Sequence, residues 1–450
     1  MSAYALELND AEIVAWDATH ELLRDSGYAY LGASPWRFGA AAAHSARLHP
    51  HDTLTAHYAQ MDAPRIGATA IAAAEVIYHQ MRTWRAALPD TPGIWLTSGA
   101  ASGAQLGTLL GVAQTAGLTI GALLDRAVAA ASALPVEGTV FCIDVELERG
   151  LITEVHLQAG RAVRHGVVVL PELGLRPLVE AWCKGFARQM VQATRFDPLH
   201  VAATEQALFD ALPGWLEQLT HAPSIEEAVV EADSGRYGIE YRAANAIADV
   251  ADACRLLSAR LHAMRRAGQR ASILLTATAA RLPGMIEAVQ AFPDCDVFTA
   301  KVGQAAQAAI GALEVATLTA PATSLLLAMP HHPYPGWIAV RVAAAPVEDA
   351  ATATHVVFAG RAVRLAGPAI TVGSGVDGGA RNLQIPATVA GVSRRHCSLI
   401  LEAGQPFVLD HSRFGSFLNE ERVTTRAPVR VGDRLRLGNP GVEFTFVRLE

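Results

Sequence analysis

The sequence predicts an α/β body of two lobes followed by a separate all-β sandwich. Three observations predict it. A chain of 450 residues is too long for one hydrophobic core, and a composition 51% hydrophobic and 18% charged is that of a folded protein. Strand and helix signals alternate over the first three quarters of the chain, whereas from His355 onward short strands alternate with Gly, Pro, Asn and Asp turns. Charge is also divided: Thr352–Glu450 holds 12 Arg against 8 acidic residues, net +4, so the rest carries −11 within a total of −7. The expected boundaries are a body over 1–328, a linker over 329–352 and a sandwich over 353–450.

The elements follow in order. Tyr4 to Leu8 and Ile13 to Trp16 alternate as two strands around an Asn9-Asp10 turn, and Tyr28 to Leu31 reads as a third strand. His44 to Tyr58 holds His44, His49, His51 and His57 around Pro50, in no standard ligand spacing. It is expected to be a solvated loop and helix surface, not a metal site. Ile66 to Ala87 has helical periodicity, Ile94 to Thr97 reads as a buried strand and Gln105 to Ala116 as a helix. Three strands are expected over Thr139–Asp144, Ile152–Leu157 and Ala162–Leu170, then a long helical region from Leu178 to Leu219. Tyr241 to Arg266 reads as one amphipathic helix, with Ile247, Val250, Cys254, Leu257 and Leu261 on its stripe. A buried strand at Ser272–Leu275 and a small-residue helix at Gly303–Ala312 complete the body. Met329 to Gly336 reads as a linker or edge loop.

Several functions are excluded by composition. A net charge of −7 argues against nucleic-acid binding. The five cysteines are scattered and form no CxxC pair, so neither a disulfide framework nor a zinc site is expected. Lys184 and Lys301 are the only lysines, so no mechanism can use a lysine N-terminal to Lys184. Thr91 to Leu124 lacks charge throughout, but its Gln, Ser, Thr and Gly content reads as strand, turn and buried helix instead of a membrane span. With no signal peptide read at Met1 to Ala5, a cytoplasmic protein without membrane insertion is expected. No GxSxG occurs, and no catalytic residue is assigned.

Four stretches carry a resemblance. "WLTSGAASGAQLGTLLGVAQTAGLTIGALLDRAVAAASA", "FCIDVELERGLITEVHL", "SILLTATAARLPGM" and "VGQAAQAAIGAL" occur in that order along the body. They resemble the nucleotide-binding domain of the seventy-kilodalton heat-shock protein family, within the actin-like ATPase superfamily. The resemblance implies a two-lobed actin-like fold, with Glu7 and Asp144 at the positions of the family's two phosphate-loop aspartates. It does not imply the chemistry. Phosphate loops of this kind use glycines so that backbone N–H groups close around phosphate oxygens. Here the loops read Glu7-Leu8-Asn9-Asp10-Ala11 and Asp144-Val145-Glu146-Leu147-Glu148-Arg149. The adenosine motif has Ala277-Thr278 where paired glycines stand, the catalytic lysine's place falls near Tyr58, and the family's glutamate falls near Asp125 or Arg126. Glu7, Asp144, Ala277 and Thr278 therefore read as a vestigial nucleotide site, and no cofactor is expected; the alternative is ATP with magnesium.

"ITVGSG", "VSRRHCSLIL", "FVLDHSRFGSFLNEERV" and "VRVGDRLRLGNPGVEFTF" resemble a forkhead-associated (FHA) domain, an eleven-stranded sandwich that binds phosphothreonine peptides through its loops. The resemblance implies a phosphate-contacting serine at Ser393 and a loop-bracing His396, with Asn419 and Asp410 structural. The family's phosphate arginine is replaced by Ser374, and its backbone-reading asparagine by Phe414. The expected partner-binding residues are Ser374, Arg381, Ser393, Arg394, Arg395, Arg413 and Phe414. They imply a protein partner that is phosphothreonine-containing or acidic. The expected function is a non-catalytic adaptor in a signalling or secretion-type assembly. The alternative is a nucleotide-switched ATPase with chaperone-like activity.

Overall fold

The computed structural model describes residues 3–265, 271–290, 292, 295–313, 322–333, 339–340 and, within 353–448, all but 359–360, 376–380, 388, 390, 403, 420, 432 and 439–440. The chain divides into two compact units, 1–257 with 271–341, and 258–270 with 342–450.

The first unit is built on two mixed sheets. One runs Leu325–Leu326, Ile120–Asp125, Gly93–Thr97, Ala5–Glu7, Ile13–Trp16, Glu21–Asp25 across six strands. The two strands nearest the N-terminus form the expected hairpin, and Ala5–Glu7 pairs in parallel with Gly93–Thr97. The other sheet runs Ala328–Pro330, Arg161–Leu170, Gly150–Gln158, Gly138–Val145, Ala271–Leu275, Cys295–Thr299, Ala339–Val340. The central strands Gly93–Thr97 and Ala271–Leu275 are buried at every position, which is why they read as unbroken apolar runs instead of alternating ones. Helix Arg126–Ser132 is buried throughout and shares a core with helix Gln304–Ala312. Ala127, Ala130, Ala305, Ala306 and Ala309 lie in that shared core, and side chains this small let two backbones approach closely. The three-strand meander over 138–170 lies where the sequence places it. These mixed sheets are compatible with the expected two-lobed plan.

Three expectations are corrected and one unassigned element is added. The histidine-rich segment is not solvated throughout: His57 and Tyr58 are buried against Gln80, and burial pushes the His57 imidazole down to about 4. The helix expected over 241–266 is broken. Tyr241 belongs to strand Gly235–Arg242, and helices Ala243–Asp249 and Ala251–Met264 meet at Val250, whose φ of −110° is not helical. The hairpin of Ser224–Ala232 with Gly235–Arg242 was not anticipated, although its Asp233-Ser234-Gly235 turn is written in the sequence. Finally, the segment from 329 does not begin a linker. Ala328–Pro330 pairs with Arg161–Val163 and Met329 is 1% exposed, because the edge of the seven-stranded sheet needs a partner. Positions 334–338 and 341–352 of the expected linker lie outside the described residues.

Among the described residues of the second unit, eleven strands form two facing sheets. Six run Arg361–Arg364, His355–Phe358, Val442–Val447, Arg434–Leu437, Ser416–Leu418, Glu421–Arg422, and five run Asn382–Gln384, Ile370–Gly373, Cys397–Glu402, Gln405–Asp410, Arg426–Pro428. Alternate residues point inward, so Val356, Val372, Leu399, Val408, Leu435, Phe444 and Phe446 form one core between the sheets. This is the β sandwich that the turn-rich alternation predicts.

Candidate functional site

At one end of the sandwich three loops are bonded together around Ser393. Strand Ile370–Gly373 ends in a turn where the Ser374 N–H donates to the Ser393 carbonyl at 3.1 Å and the Gly375 N–H to the Arg394 carbonyl at 2.9 Å. A Cβ at Gly373 would stand 2.2 Å from the Arg394 carbonyl oxygen, so this close approach requires glycine. From the other side the Arg413 N–H donates to Ser393 Oγ at 3.1 Å. That bond uses a lone pair of Ser393 Oγ; among the described residues its O–H has no acceptor.

His396 holds the assembly from below. It is fully buried; Nδ1 accepts from the Ser393 N–H at 3.0 Å and Nε2–H donates to the Gly415 carbonyl at 3.0 Å. Burial lowers its pKa, so the ring is neutral and one tautomer is selected by its two partners. The turn after strand Gln405–Asp410 is tied at successive residues. Asp410 Oδ1 accepts from Ser412 N–H at 3.1 Å and from the Ser416 hydroxyl at 2.8 Å, and Ser412 Oγ accepts from Gly415 N–H at 2.7 Å. Asn419 takes a positive φ of 50° and bonds Asp433 and the Arg434 backbone, bracing the next hairpin.

The expected binding residues are not all at this edge. Ser374, Ser393, Arg394, Arg395, Arg413 and Phe414 are. The Ser374 hydroxyl points inward to the Val392 carbonyl at 3.4 Å, so it does not replace the missing charge. Arg381 is a correction. It lies near the opposite end of strand Ile370–Gly373, where Thr371 N–H bonds the Arg381 carbonyl, and its guanidinium is spent on the carbonyls of Arg364 and Ala366. Arg422 was missed. Its Nε lies 3.1 Å from where a Cβ on Gly415 would stand, so it reaches the same turn from the neighbouring hairpin. Only strand pairing brings it there. Among the described residues Arg394, Arg395, Arg413 and Arg422 are exposed and form no ion pair.

In the body, Glu7, Asp144, Ala277 and Thr278 do come together. They line one cavity between the two sheets with Asn9, Glu12, Arg126 and Lys301. The cavity is about 20 Å³, room for about one water molecule. Arg126, which is 3% exposed, is one of its lining residues. The guanidinium donates from Nε to Asp144 Oδ2 at 2.7 Å, from Nη1 to the Leu8 carbonyl at 2.5 Å and from Nη2 to Glu146 Oε1 at 2.9 Å. Burial disfavours its charge, but Asp144 and Glu146 outweigh that and hold it firmly protonated. Asn9 Nδ2 donates to Asp144 Oδ1 and to the Val145 carbonyl, both at 3.0 Å, and Thr276 Oγ1 donates to Asp144 Oδ1 at 2.8 Å. Asp10 Oδ1 accepts from Leu147 N–H at 2.7 Å, and Glu7 Oε1 from Ala306 N–H at 2.9 Å. Burial pushes Glu7 up to about 7 and, with the Glu146 carboxylate nearby, raises Asp10 as well. These residues do not fit magnesium and a nucleotide. Arg126 already pairs with Asp144 and Glu146, and both loops lack the glycines of a phosphate cradle.

Residues 370–438 match the FHA domain family. The chain therefore carries an FHA domain, a module whose members bind phosphothreonine-containing protein partners. None of the characterised proteins compared with the chain matches it. Among the described residues, no helix is long and apolar enough to cross a membrane, and no group of three or more His, Cys, Asp or Glu side chains is placed to hold a metal ion.

Proposed function

We propose that this protein is a non-catalytic adaptor. Its FHA domain recruits an anionic or phosphorylated protein into a signalling or secretion-type assembly, and its body is a pseudo-ATPase of the actin-like kind that serves as a scaffold. The observation that carries this reading is Arg126, whose buried guanidinium is bonded to Asp144 and Glu146 at the cavity where the resemblance puts a nucleotide. Calorimetric titration with ATP and magnesium, alongside a phosphate-release assay, should give neither binding heat nor turnover. Turnover abolished by Asp144→Asn or Glu7→Gln would establish the nucleotide-switched alternative instead.

The FHA half has its own expectation. Ser374 stands where the family uses a phosphate arginine, so one charge-assisted bond, roughly 1.5–3 kcal/mol, is absent. A single phosphothreonine peptide should bind about ten- to a hundredfold more weakly than to Ser374→Arg. Equal affinities would mean that another cation already fills that role.

A further inference from the structure

We propose that the body holds a binding site for a small carboxylate with a compact apolar frame, in an open cavity lined by residues between 50 and 68 together with Glu148 and Arg176. The site is independent of the FHA domain. It is also separate from the cavity where the resemblance puts a nucleotide. The two cavities share no lining residue, and they draw on opposite ends of the loop 144–149, Asp144 in one and Glu148 in the other.

The cavity is about 360 Å³, within the size range of small-molecule sites. Its walls combine the apolar side chains of Pro50, Leu54 and Ile66 with donors from two distant parts of the chain. The first donors belong to the turn over 66–69. The Thr69 N–H and hydroxyl both donate to the Ile66 carbonyl, at 3.2 and 2.7 Å, and the Ile66 N–H donates to the Ile71 carbonyl at 2.9 Å. The two central residues, Gly67 with φ +59° and Ala68, are exposed, and among the described residues their N–H groups have no acceptor. Successive N–H groups displayed from a turn form an anion-binding concavity. The second donor is Arg176, at the start of helix Leu175–Thr194. Its Nε donates to Glu148 Oε1 at 2.9 Å and its Nη2 to Oε2 at 2.9 Å, while Nη1 has no acceptor among the described residues. The Thr55 hydroxyl also donates to Glu148 Oε1, at 2.6 Å. Both oxygens of Glu148 are thus occupied, and what the cavity has left to offer is donation.

Charge decides which anion. The Arg176 guanidinium is shared with Glu148, and the turn donors are neutral backbone groups. Besides these two, His51 is the only titratable side chain lining the cavity. Such a site balances a single negative charge; a phosphate dianion would bring more than one shared guanidinium offsets. A carboxylate supplies one charge and two oxygens for the turn N–H groups and Arg176 Nη1. The apolar walls favour an organic frame over a small hydrated ion such as chloride. A ligand held by the 66–69 turn and by Arg176 joins segments more than a hundred residues apart in sequence, so its binding stabilises the body.

The test uses the full chain, calorimetric titration and thermal unfolding, with benzoate, phenyl phosphate and benzyl alcohol as probes at one ionic strength held by sodium chloride. Benzoate should bind with Kd below about 1 mM, at least about fivefold more tightly than either other probe, and raise Tm. Gln60→Glu and Ala68→Asp put a carboxylate at exposed lining positions, where a substitution costs little folding stability. Each should weaken benzoate about tenfold, and Arg176→Gln should do the same. Arg394→Glu with Arg395→Glu, in the FHA domain, should leave benzoate affinity unchanged. A benzoate Kd above about 1 mM, or one unchanged in Gln60→Glu and Ala68→Asp, overturns the site. Loss of benzoate binding in the FHA double variant moves the anion to the sandwich and overturns it equally. Phenyl phosphate binding as tightly as benzoate overturns the carboxylate assignment, and benzyl alcohol binding as tightly shows that no anion is read.

Discussion

Arg126 is buried and paired among the residues that line the body's cavity. Its three nitrogens meet two carboxylates and a backbone carbonyl inside the protein, so the cation is fully paired and its partners are desolvated with it. Removing one member of such a buried network leaves the others charged and alone. Arg126→Ala should destabilise the body by about 3–5 kcal/mol in urea unfolding; a loss under about 1 kcal/mol would mean that water replaces the guanidinium easily. Asp10 behaves in the opposite way. It is 4% exposed, and its folded pKa is raised by burial and by Glu146. A raised folded pKa gives a contribution that is full below the unfolded value, near 3.8, and is lost as pH rises through the folded one. Asp10→Asn can still accept the Leu147 N–H bond. It should be more stable than wild type at pH 8, by roughly 1–3 kcal/mol, with the gain vanishing toward pH 4. A gain independent of pH would show that the ionisation of Asp10 is not the cause.

At the scale of elements, the FHA edge depends on strand ends that nearly touch. Strand Ile370–Gly373 brings the backbone of Gly373 against the Arg394 carbonyl, and a methyl group there would meet backbone that cannot rotate away. Gly373→Ala should therefore cost about 1–3 kcal/mol in the sandwich and weaken phosphopeptide binding at the same time. Unchanged peptide affinity with lowered stability would separate the loop from the site. The SRRH and D-x-S motifs of this edge were legible because each works locally: Ser393 bonds His396 three residues on, and Asp410 bonds Ser412 two residues on. Arg381 and Arg422 were not legible. The direction of each arginine depends on pairing partners, Thr371 for one and Phe417 for the other, that no local pattern names. Similarly, the stripe over 241–266 predicted one helix because periodicity cannot register where Trp182, from another helix, bonds the Ala246 carbonyl.

At the scale of the molecule, the sandwich has a core of its own. Every buried member of that core, from Ala353 to Phe446, comes from the C-terminal part of the chain. A fragment of residues 353–450 should therefore unfold cooperatively and keep the phosphopeptide affinity of the full chain; a fragment without near-UV circular dichroism would show that its core is incomplete. The body's own cores, in contrast, join segments from opposite ends of its sequence, as where Ala5 and Ala306 meet in one cluster.

Local sequence accounts for the alternation of strands and helices, the all-β character after His355, the FHA motifs and the absence of glycine from both cleft loops. All of these depend on neighbours along the chain: side-chain period, turn chemistry and motif spacing. Four outcomes belong to the tertiary structure: Arg126 pairs with Asp144 and Glu146, Met329 joins a sheet edge, Arg381 faces away from the ligand loops and Arg422 reaches them. Each is set by a partner outside its own element, such as Asp144 for Arg126 and Ala162 for Met329, or by a strand register. A linear pattern carries no record of which distant group will neutralise a charge or cover an edge.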